Sequence, residues 1–221
     1  MRLREFSTTE PGIRRVLTRK GYRFLGQGVD QMAFISPDGE VLKIFGTQCS
    51  GSEEQPKLSR DQKMFRFYAE YCRRNANNPY LPRIHGWETF VYPTKWGWDF
   101  STDNAKTQQC LYLQIRTEPL KRFDNRFYRL FQEMSDSVSL GIDWKYFHED
   151  MQEGDVYDVN PDWYRRLTNN ADSVTRMHRL YMTMDALYRI GRERGYRWDL
   201  HGDNIMARAD GTPVITDPWV L

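Results

Sequence analysis

The chain has 221 residues, of which 39% are hydrophobic, and this fits one globular domain or one domain built of two lobes. Its 32 Lys and Arg residues nearly balance its 30 Asp and Glu residues, so the net charge is only +2. A dedicated polyanion binder usually carries a clear basic excess. We therefore expect no strong binding to nucleic acid.

The cysteines and the N-terminus bear on the compartment. Cys49, Cys72 and Cys110 form no CxxC pair, and their odd number favours reduced thiols over a disulfide framework or a cysteine zinc site. The N-terminus lacks the apolar core of a secretory signal, and no apolar run approaches the roughly 20 residues that span a bilayer. These features predict a soluble, cytoplasmic protein that has no membrane partner.

The first half of the chain is predicted to be rich in strands. A short helix begins near Pro11 and ends at Gly21, where the apolar spacing of three to four residues stops. Shorter apolar runs then predict strands at about 22–27, 31–36 and 40–46, with a turn at Pro37-Asp38-Gly39. A polar loop over 46–57 precedes a helix over 59–74. Two further strands at 83–92 and 109–116 flank a loop over 93–108.

The second half is predicted to be mostly helical. A connector at 117–120 leads to an amphipathic helix over 121–137 and then to a mixed segment over 138–170. The clearest helix spans 172–194, where apolar residues recur every three or four positions, and Gly195 ends it. Short strands return at the end of the chain, around a turn at Asp210-Gly211-Thr212. The fold class is therefore α+β.

The polar loop after the long helix carries the chemistry. It reads Arg197-Trp198-Asp199-Leu200-His201-Gly202-Asp203-Asn204-Ile205-Met206 and precedes a hairpin that ends in Asp217. Phosphoryl transfer needs one carboxylate to orient the attacking hydroxyl and two oxygen ligands to hold Mg²⁺. We assign the first role to Asp199 and the metal-binding roles to Asn204 and Asp217.

This loop resembles that of the protein-kinase-like superfamily, in particular its small-molecule and atypical branches. Aminoglycoside and choline kinases carry D-L-H-x-x-N-I-L, and this chain reads D-L-H-G-D-N-I-M from Asp199 to Met206. Asp217-Pro218-Trp219 stands where the family has D-F-G or D-x-x. A second register, which aligns His201-Gly202-Asp203 with an H-G-D motif, puts Arg208 where the family requires Asn.

The resemblance implies a phosphate-binding strand turn and a strand lysine upstream. Leu25-Gly26-Gln27-Gly28 matches the family's L-G-x-G, and Val41-Leu42-Lys43 matches its V-x-K. Glycines let the backbone approach phosphates, and an apolar strand positions a lysine to bind them. Gly26, Gln27, Gly28 and Lys43 are therefore expected to bind the nucleotide, with Lys43 also counted among the catalytic residues.

The resemblance also implies a partner for the lysine and a hinge for the base. Glu70 is the candidate partner of Lys43, because the segment 78–81 resembles the family's conserved stretch after the helix. Residues 117–120 match the hinge between the lobes. Glu118 and Leu120 are therefore expected to meet the adenine edge through their backbone.

The implied architecture is a bilobal kinase-like fold. Residues 1–117 form an N-lobe with an antiparallel sheet, the glycine turn, the lysine strand and a helix, and residues 118–221 form a short, mostly helical C-lobe. The chain stops at Leu221, where a protein kinase would continue with further helices. Two alternatives follow: residues 121–171 replace those helices or build a substrate site, or a protein substrate or partner completes the C-lobe. Compact proteins of this kind resemble those carried by bacteria and phages.

The implied activity is transfer of the γ-phosphoryl group from ATP, with Mg²⁺, to a hydroxyl on a protein or small molecule. The alternative is a pseudokinase, a nucleotide-binding or structural interaction module without turnover, which the short C-lobe and the Asp217-Pro218-Trp219 variant favour. Nucleotidyl transfer is a third option that no residue selects.

Overall fold

The computed structural model describes residues 10–28, 31–46, 57–96, 106–123, 127–154 and 159–221. It confirms the α+β class. The chain divides into two compact units, one of Met1–Asn77 with Pro82–Pro119 and one of Asn78–Leu81 with Leu120–Leu221. The short segment Asn78–Leu81 belongs to the second unit although it lies within the first unit in sequence.

The first unit is built on one antiparallel sheet of five strands. The strands are β1 (Arg23–Gln27), β2 (Gln31–Ile35), β3 (Val41–Phe45), β4 (Ile84–Trp96) and β5 (Lys106–Thr117). Their order across the sheet is β1-β2-β3-β5-β4, and every neighbouring pair is antiparallel. The three predicted N-terminal strands are therefore confirmed to within one or two residues.

Two helices cover opposite faces of this sheet. Successive strand residues point to opposite sides, so each strand contributes side chains to both cores. The helix α1 (Glu10–Arg19) contributes Ile13 and Leu17 to a core on one face. The sheet residues of that core are Met32, Phe34, Leu42, Ile44, Cys110 and Tyr112. The helix α2 (Arg60–Arg74) packs Phe65 and Ala69 on the other face, against Phe45, Leu113 and Ile115.

A buried glutamine ties α2 to the sheet. Ser59 caps the helix, and its hydroxyl accepts the N–H of Gln62, while the Gln62 side chain accepts the N–H of Ser59. The amide of Gln62 also donates to the carbonyl oxygens of Phe45 at 3.0 Å and Leu111 at 2.9 Å. Its side chain is fully buried. One residue therefore caps the helix and satisfies acceptors on two neighbouring strands.

We expect Gln62→Ala to destabilise the protein by about 2–4 kcal/mol, because it leaves two carbonyl oxygens unpaired and opens a space in the core. The control is Gln132→Ala, which removes the same side chain from a site where it bonds only Asp136 at the surface. Urea unfolding of both variants measures the difference. Equal midpoints for the two variants would contradict this role for Gln62.

Two of the predicted boundaries are wrong. The loop over 93–108 is shorter than expected, because β4 extends to Trp96 and β5 begins at Lys106, with Trp96 paired to Lys106. The helix over 121–137 begins only at Tyr128. Its first two residues form β6 (Lys121–Arg122) instead, which pairs with a strand near the C-terminus.

The second unit contains four helices among its described residues. They are α3 (Tyr128–Leu140), α4 (Trp144–Glu153), α5 (Pro161–Leu167) and α6 (Ala171–Glu193). The strands after α6 form two small antiparallel sheets, one of them together with β6. In the first, β7 (Arg197–Trp198) pairs with β10 (Trp219–Val220); in the second, β6 pairs with β8 (Ile205–Ala207), which pairs with β9 (Pro213–Ile215). The predicted long helix and terminal hairpin are confirmed, and Gly195 adopts the left-handed φ of +71° expected just beyond the helix end.

Aromatic rings and histidines join α4, α5 and α6. The Trp144 ring stacks on His148 and His178, with centroid distances of 5.1 and 5.3 Å. The hydroxyl of Tyr164 lies 2.8 Å from Nδ1 of His148. The side-chain nitrogen Nε2 of Gln152 lies 3.2 Å from Nε2 of the same histidine. Burial raises the pKa of Tyr164, so its phenol stays protonated. Burial likewise raises the pKa of Tyr181, on α6, to about 12.

The stability of the protein should depend on the protonation of His148. Burial lowers the pKa of His148 below 6.5, although the carboxylate of Glu149 opposes this shift. Between the lowered pKa and 6.5 the unfolded chain binds more protons than the folded one, so the free energy of unfolding falls as the pH drops through this window. His148→Gln, which removes the titrating ring but keeps a polar side chain, should reduce this pH dependence. Unfolding measured at pH 5 and pH 8 checks it, and an unchanged dependence in the variant would exclude His148 as the cause.

The cysteines differ from expectation. Cys110 is buried and disulfide-bonded, whereas Cys72 is a buried free thiol. The prediction of three reduced cysteines is therefore wrong for Cys110, because an odd count does not exclude one pair. Cys49 lies outside the described residues. Among the residues that the structure describes, no helix is both long enough and apolar enough to cross a bilayer.

Candidate functional site

Backbone hydrogen bonds bring Asp199, Asn204 and Asp217 together within the second unit. The N–H of Asp199 donates to the carbonyl of Pro218 at 3.0 Å. The N–H and the hydroxyl of Thr216 both donate to the carbonyl of Asn204, at 2.8 and 3.0 Å. Asp217 therefore lies between the two residues, Thr216 and Pro218, that are hydrogen-bonded to the loop.

The side chain of Asn204 is held in one orientation. Its Nδ2 donates to the carbonyl of Asp199 at 2.7 Å and lies 3.2 Å from Nε2 of His201. Since the NH₂ group is committed to Asp199, Oδ1 is the atom of this amide that can bind a cation. Nε2 of His201 is also 3.9 Å from Oδ2 of Asp199. The side chain of Asp199 is 46% exposed, so its carboxylate is accessible from solvent.

The start of the loop is attached to α3 through Ser135. The indole N–H of Trp198 donates to the hydroxyl of Ser135 at 2.8 Å, and this hydroxyl donates to the carbonyl of Leu200 at 2.8 Å. The Trp198 ring also packs edge-on against Tyr188 of α6, with a centroid distance of 5.6 Å. Ser135 therefore binds both neighbours of Asp199 in the chain, Trp198 and Leu200.

Trp219 attaches the other side of the site to α6. Its indole N–H donates to the carbonyl of Leu187 at 3.0 Å, and the ring lies against Gly191. A Cβ at position 191 would be 2.6 Å from the indole nitrogen, so only glycine permits this approach. The long helix therefore supports the strand that follows Asp217.

Arg208 has a structural role. Its guanidinium donates to the carbonyl of Pro79 and, at 2.9 Å, to that of Leu81, while the N–H of Ile215 donates to the carbonyl of Tyr80 at 2.9 Å. These bonds attach residues 78–81 to the terminal hairpin.

In the first unit, Lys43 shares one row of the sheet with Gly26. Antiparallel pairing places Gly26 opposite Ala33, Ala33 opposite Lys43, and Lys43 opposite Ile115. Directly paired residues point to the same face, and this face is the one that α2 covers. Lys43 is half-buried there.

Neither glycine of the strand turn is required by its local packing. A Cβ at Gly26 would meet nothing within 4 Å among the described residues, and one at Gly28 would make only ordinary contact with Gln31. Neither residue has a positive φ. The N–H of Gly28 donates to the carbonyl of Gln31 at 2.8 Å and closes the turn. Gln27 ends β1 and is exposed.

Glu70 is bound within its own helix. Its carboxylate accepts from Nε of Arg66 at 2.9 Å and lies 3.5 Å from Nη2 of Arg74. Its side chain is 27% exposed. The pairing of Glu70 with Lys43 stays a prediction, and two arginines one helical turn away compete for the same carboxylate.

The hinge residues differ in how their polar groups are used. Glu118 is buried, its N–H donates to the carbonyl of Arg83 at 3.1 Å, and its carboxylate accepts the N–H of Arg83 at 2.8 Å. Leu120 is half-buried and begins the main segment of the second unit. The N–H of Glu118 is thus committed within the protein, which leaves Leu120 as the predicted hinge donor.

The donor set at the loop limits the kind of metal site. Within the described parts of the chain, no three His, Cys, Asp or Glu side chains are grouped so that they could hold a metal ion. Asn204 and Asp217 supply one amide oxygen and one carboxylate. Such a pair suits a hard cation that takes its remaining oxygen ligands from water and from a phosphate-bearing substrate.

A scan against protein-family models and a search of curated protein sequences both found no match to this chain.

We expect Ser135→Ala to lower the free energy of unfolding by about 1–3 kcal/mol, because it leaves the Trp198 indole and the Leu200 carbonyl without a partner. Ser139→Ala is the matched control on the same helix, where the hydroxyl donates only to the nearby Asp136 carbonyl at the surface. Thermal unfolding of both variants checks the difference. A Ser135 variant as stable as the Ser139 variant would show that the loop does not depend on this contact.

Proposed function

We propose that this protein is an ATP- and Mg²⁺-dependent phosphotransferase with a kinase-like bilobal fold, which transfers the γ-phosphoryl group to a hydroxyl acceptor. The observation that supports it most strongly is the attachment of residue 199 to 218 and of residue 204 to 216. These bonds bring together two carboxylate residues, Asp199 and Asp217, which are 18 positions apart in the chain, and Asn204, whose amide oxygen is oriented. Their types match the requirements of phosphoryl transfer.

Asp199 orients the acceptor in this proposal. Its exposed carboxylate accepts a hydrogen bond from the acceptor hydroxyl and takes the proton as the oxygen attacks the γ-phosphorus. The new P–O bond forms while the bond to the bridging oxygen breaks, and ADP leaves with that electron pair. His201, 3.9 Å from the Asp199 carboxylate, contributes a further polar group beside the attacking oxygen. Positioning of this kind is the main source of catalysis in phosphoryl transfer.

Asn204 and Asp217 fit a magnesium ion. Mg²⁺ prefers oxygen ligands and usually takes few of them from the protein. When bound, it would neutralise charge on the phosphate oxygens. Oδ1 of Asn204 is oriented by the bond from Nδ2 to Asp199, so the amide needs little rearrangement to act as a ligand.

The nucleotide phosphates are assigned to the first unit's glycine turn and lysine. Among the described residues nothing lies within 4 Å of the place where a side chain on Gly26 would begin, and its φ does not require a glycine. Close approach of a phosphate to the backbone would account for a glycine here. Lys43 lies in the same row of the sheet and supplies the charge. Gln27, Gly28, Glu118 and Leu120 complete the proposed nucleotide contacts.

A pseudokinase is the second candidate, and Glu70 favours it. An active kinase-like site holds its strand lysine with a helix carboxylate, whereas Glu70 is bound by Arg66 and Arg74. A protein that binds ATP without using it has no need of the Lys43–Glu70 pair. The two candidates make different predictions for the same variants.

We expect Asp199→Asn and Asp217→Asn to lower the rate of ADP formation by roughly 10²–10⁴-fold, because each removes a carboxylate required in the transition state. The matched control is Asp210→Asn, in the exposed turn of the terminal hairpin, which should keep the wild-type rate. ADP release is measured with Mg-ATP, alongside the shift in melting temperature that Mg-ATP causes.

The outcomes separate the candidates. Turnover that falls in the two site variants and persists in the control supports the phosphotransferase. A melting shift with Mg-ATP but no turnover above the Asp199→Asn level supports the pseudokinase. Neither a shift nor turnover, or equal turnover in all variants, overturns the proposed function.

A further inference from the structure

A cavity of about 490 Å³ lies beside the loop, entirely within the second unit. Its walls come from β6 and the residue after it, from the first turn of α3, and from the 3₁₀ turn at Gly202–Asn204 that follows His201. The side chains that define its chemistry are Arg122, Phe123, Tyr128, Arg129, Phe131 and Asp203. The volume is in the range of small-molecule sites.

Aromatic rings make up one part of the wall. Phe123 packs edge-on against the buried Phe131, with a centroid distance of 4.9 Å and an interplanar angle of 67°. Tyr128 is 39% exposed, so its ring is accessible from the cavity. Rings arranged at an angle to each other present faces and edges to a third flat ring.

Charge makes up the other part. Two guanidinium groups, of Arg122 and Arg129, line the cavity with one carboxylate, that of Asp203. Nη2 of Arg122 lies 3.5 Å from Oδ1 of Asp203, and the two side chains are 82% and 71% exposed. An ion pair this exposed contributes little and exchanges readily. The excess of guanidinium favours a carboxylate or phosphate, which arginine binds through two parallel hydrogen bonds.

The cavity is continuous with the candidate catalytic loop through Gly202. A Cβ at this position would lie 1.8 Å from Cδ2 and 1.9 Å from Cε2 of Tyr128, so the tyrosine ring rests directly on the loop backbone. Gly202 and Asp203 are cavity residues, and they lie between Asp199 and Asn204 in the chain. A ligand in the cavity is therefore in contact with the loop that carries the proposed base.

We propose that this cavity binds the phosphoryl acceptor, and that the acceptor is a small molecule with a flat ring and an anionic group. The rings of Phe123 and Tyr128 contact its ring, and the guanidinium groups of Arg122 and Arg129 bind its anion. The role of this ligand as phosphoryl acceptor rests on the proposed function. The binding of a flat anion does not, because it rests only on the residues that line the cavity.

The test uses four probes matched in size. They are 4-(hydroxymethyl)benzoate, its neutral amide 4-(hydroxymethyl)benzamide, the non-planar anion trans-4-(hydroxymethyl)cyclohexanecarboxylate, and the cation 4-(hydroxymethyl)benzylammonium. Binding to the full chain is measured by ligand-observed NMR titration without nucleotide. The benzoate should bind in roughly the millimolar range expected for a fragment of this size. The amide should bind roughly tenfold more weakly, because a charge-assisted hydrogen bond is lost.

Variants connect the selectivity to the cavity. Arg129→Gln and Arg122→Gln should each weaken binding of the benzoate but change binding of the amide little. Arg166→Gln is the matched control, since this arginine is exposed on α5 and does not line the cavity. Gly202→Ala should weaken binding of both aromatic probes, because the added methyl group displaces the Tyr128 ring. Unfolding curves confirm that each variant is folded.

The proposal is overturned if the benzoate and the amide bind equally, if none of the probes binds, or if Arg166→Gln weakens binding as much as the two cavity variants. Incubation with Mg-ATP then tests the acceptor role, with phosphorylation of the benzoate's hydroxyl followed by mass. Selective binding without phosphorylation, in protein that forms ADP with other acceptors, overturns the acceptor role. Selective binding in protein with no ATP turnover at all counts against the proposed function and leaves the anion site standing.

Discussion

The pairing of the loop after β7 with the segment after β9 is the constraint on which the candidate site depends. The hydrogen bonds from Asp199 to Pro218 and from Thr216 to Asn204 hold two segments of the chain side by side. Without them, Asp217 would not be held next to the loop that carries Asp199 and Asn204. The bonds are made by backbone groups, apart from the Thr216 hydroxyl. The site's geometry therefore depends first on the local backbone, and the side chains of Ser135 and Trp219 attach that backbone to the helices.

The helix α3 joins two properties of the second unit. Its buried face carries Ser135, which holds both Trp198 and Leu200, and its first turn carries Tyr128 and Arg129, which line the cavity. A displacement of α3 would therefore move the start of the loop and change the shape of the cavity at the same time. Such a shared support is a physical route by which occupancy of the cavity can alter the position of Asp199.

Much of the fold can be predicted from the sequence because its signals are local. The turn at residues 37–39 and the alternation in β2 and β3 predict a hairpin, and the apolar spacing of α6 predicts a long helix. The misses have non-local causes. Lys121 and Arg122 look like the start of an amphipathic helix, but they pair with β8 more than 80 positions away.

The candidate site shows the same division. Asp199, Asn204 and Asp217 could be named from a motif, since the motif is contiguous or nearly so. Gln62 and Ser135 could not, because a polar residue in a helix ordinarily faces water, and their partners lie 49 and 65 positions away. Thr216 could have been suspected, because it ends an apolar strand directly before the predicted metal ligand. The cavity cannot be predicted from a sequence pattern that places Phe123 and Phe131 on one helix, because Phe123 lies outside α3.

The two hydrogen bonds between Glu118 and Arg83 use both the backbone N–H and the carboxylate of the glutamate. In the proposed nucleotide site, the N–H of Glu118 would therefore not donate to a purine base. A substitution of Glu118 that weakened nucleotide binding would then report the loss of a contact inside the first unit and not the loss of a backbone donor to the base.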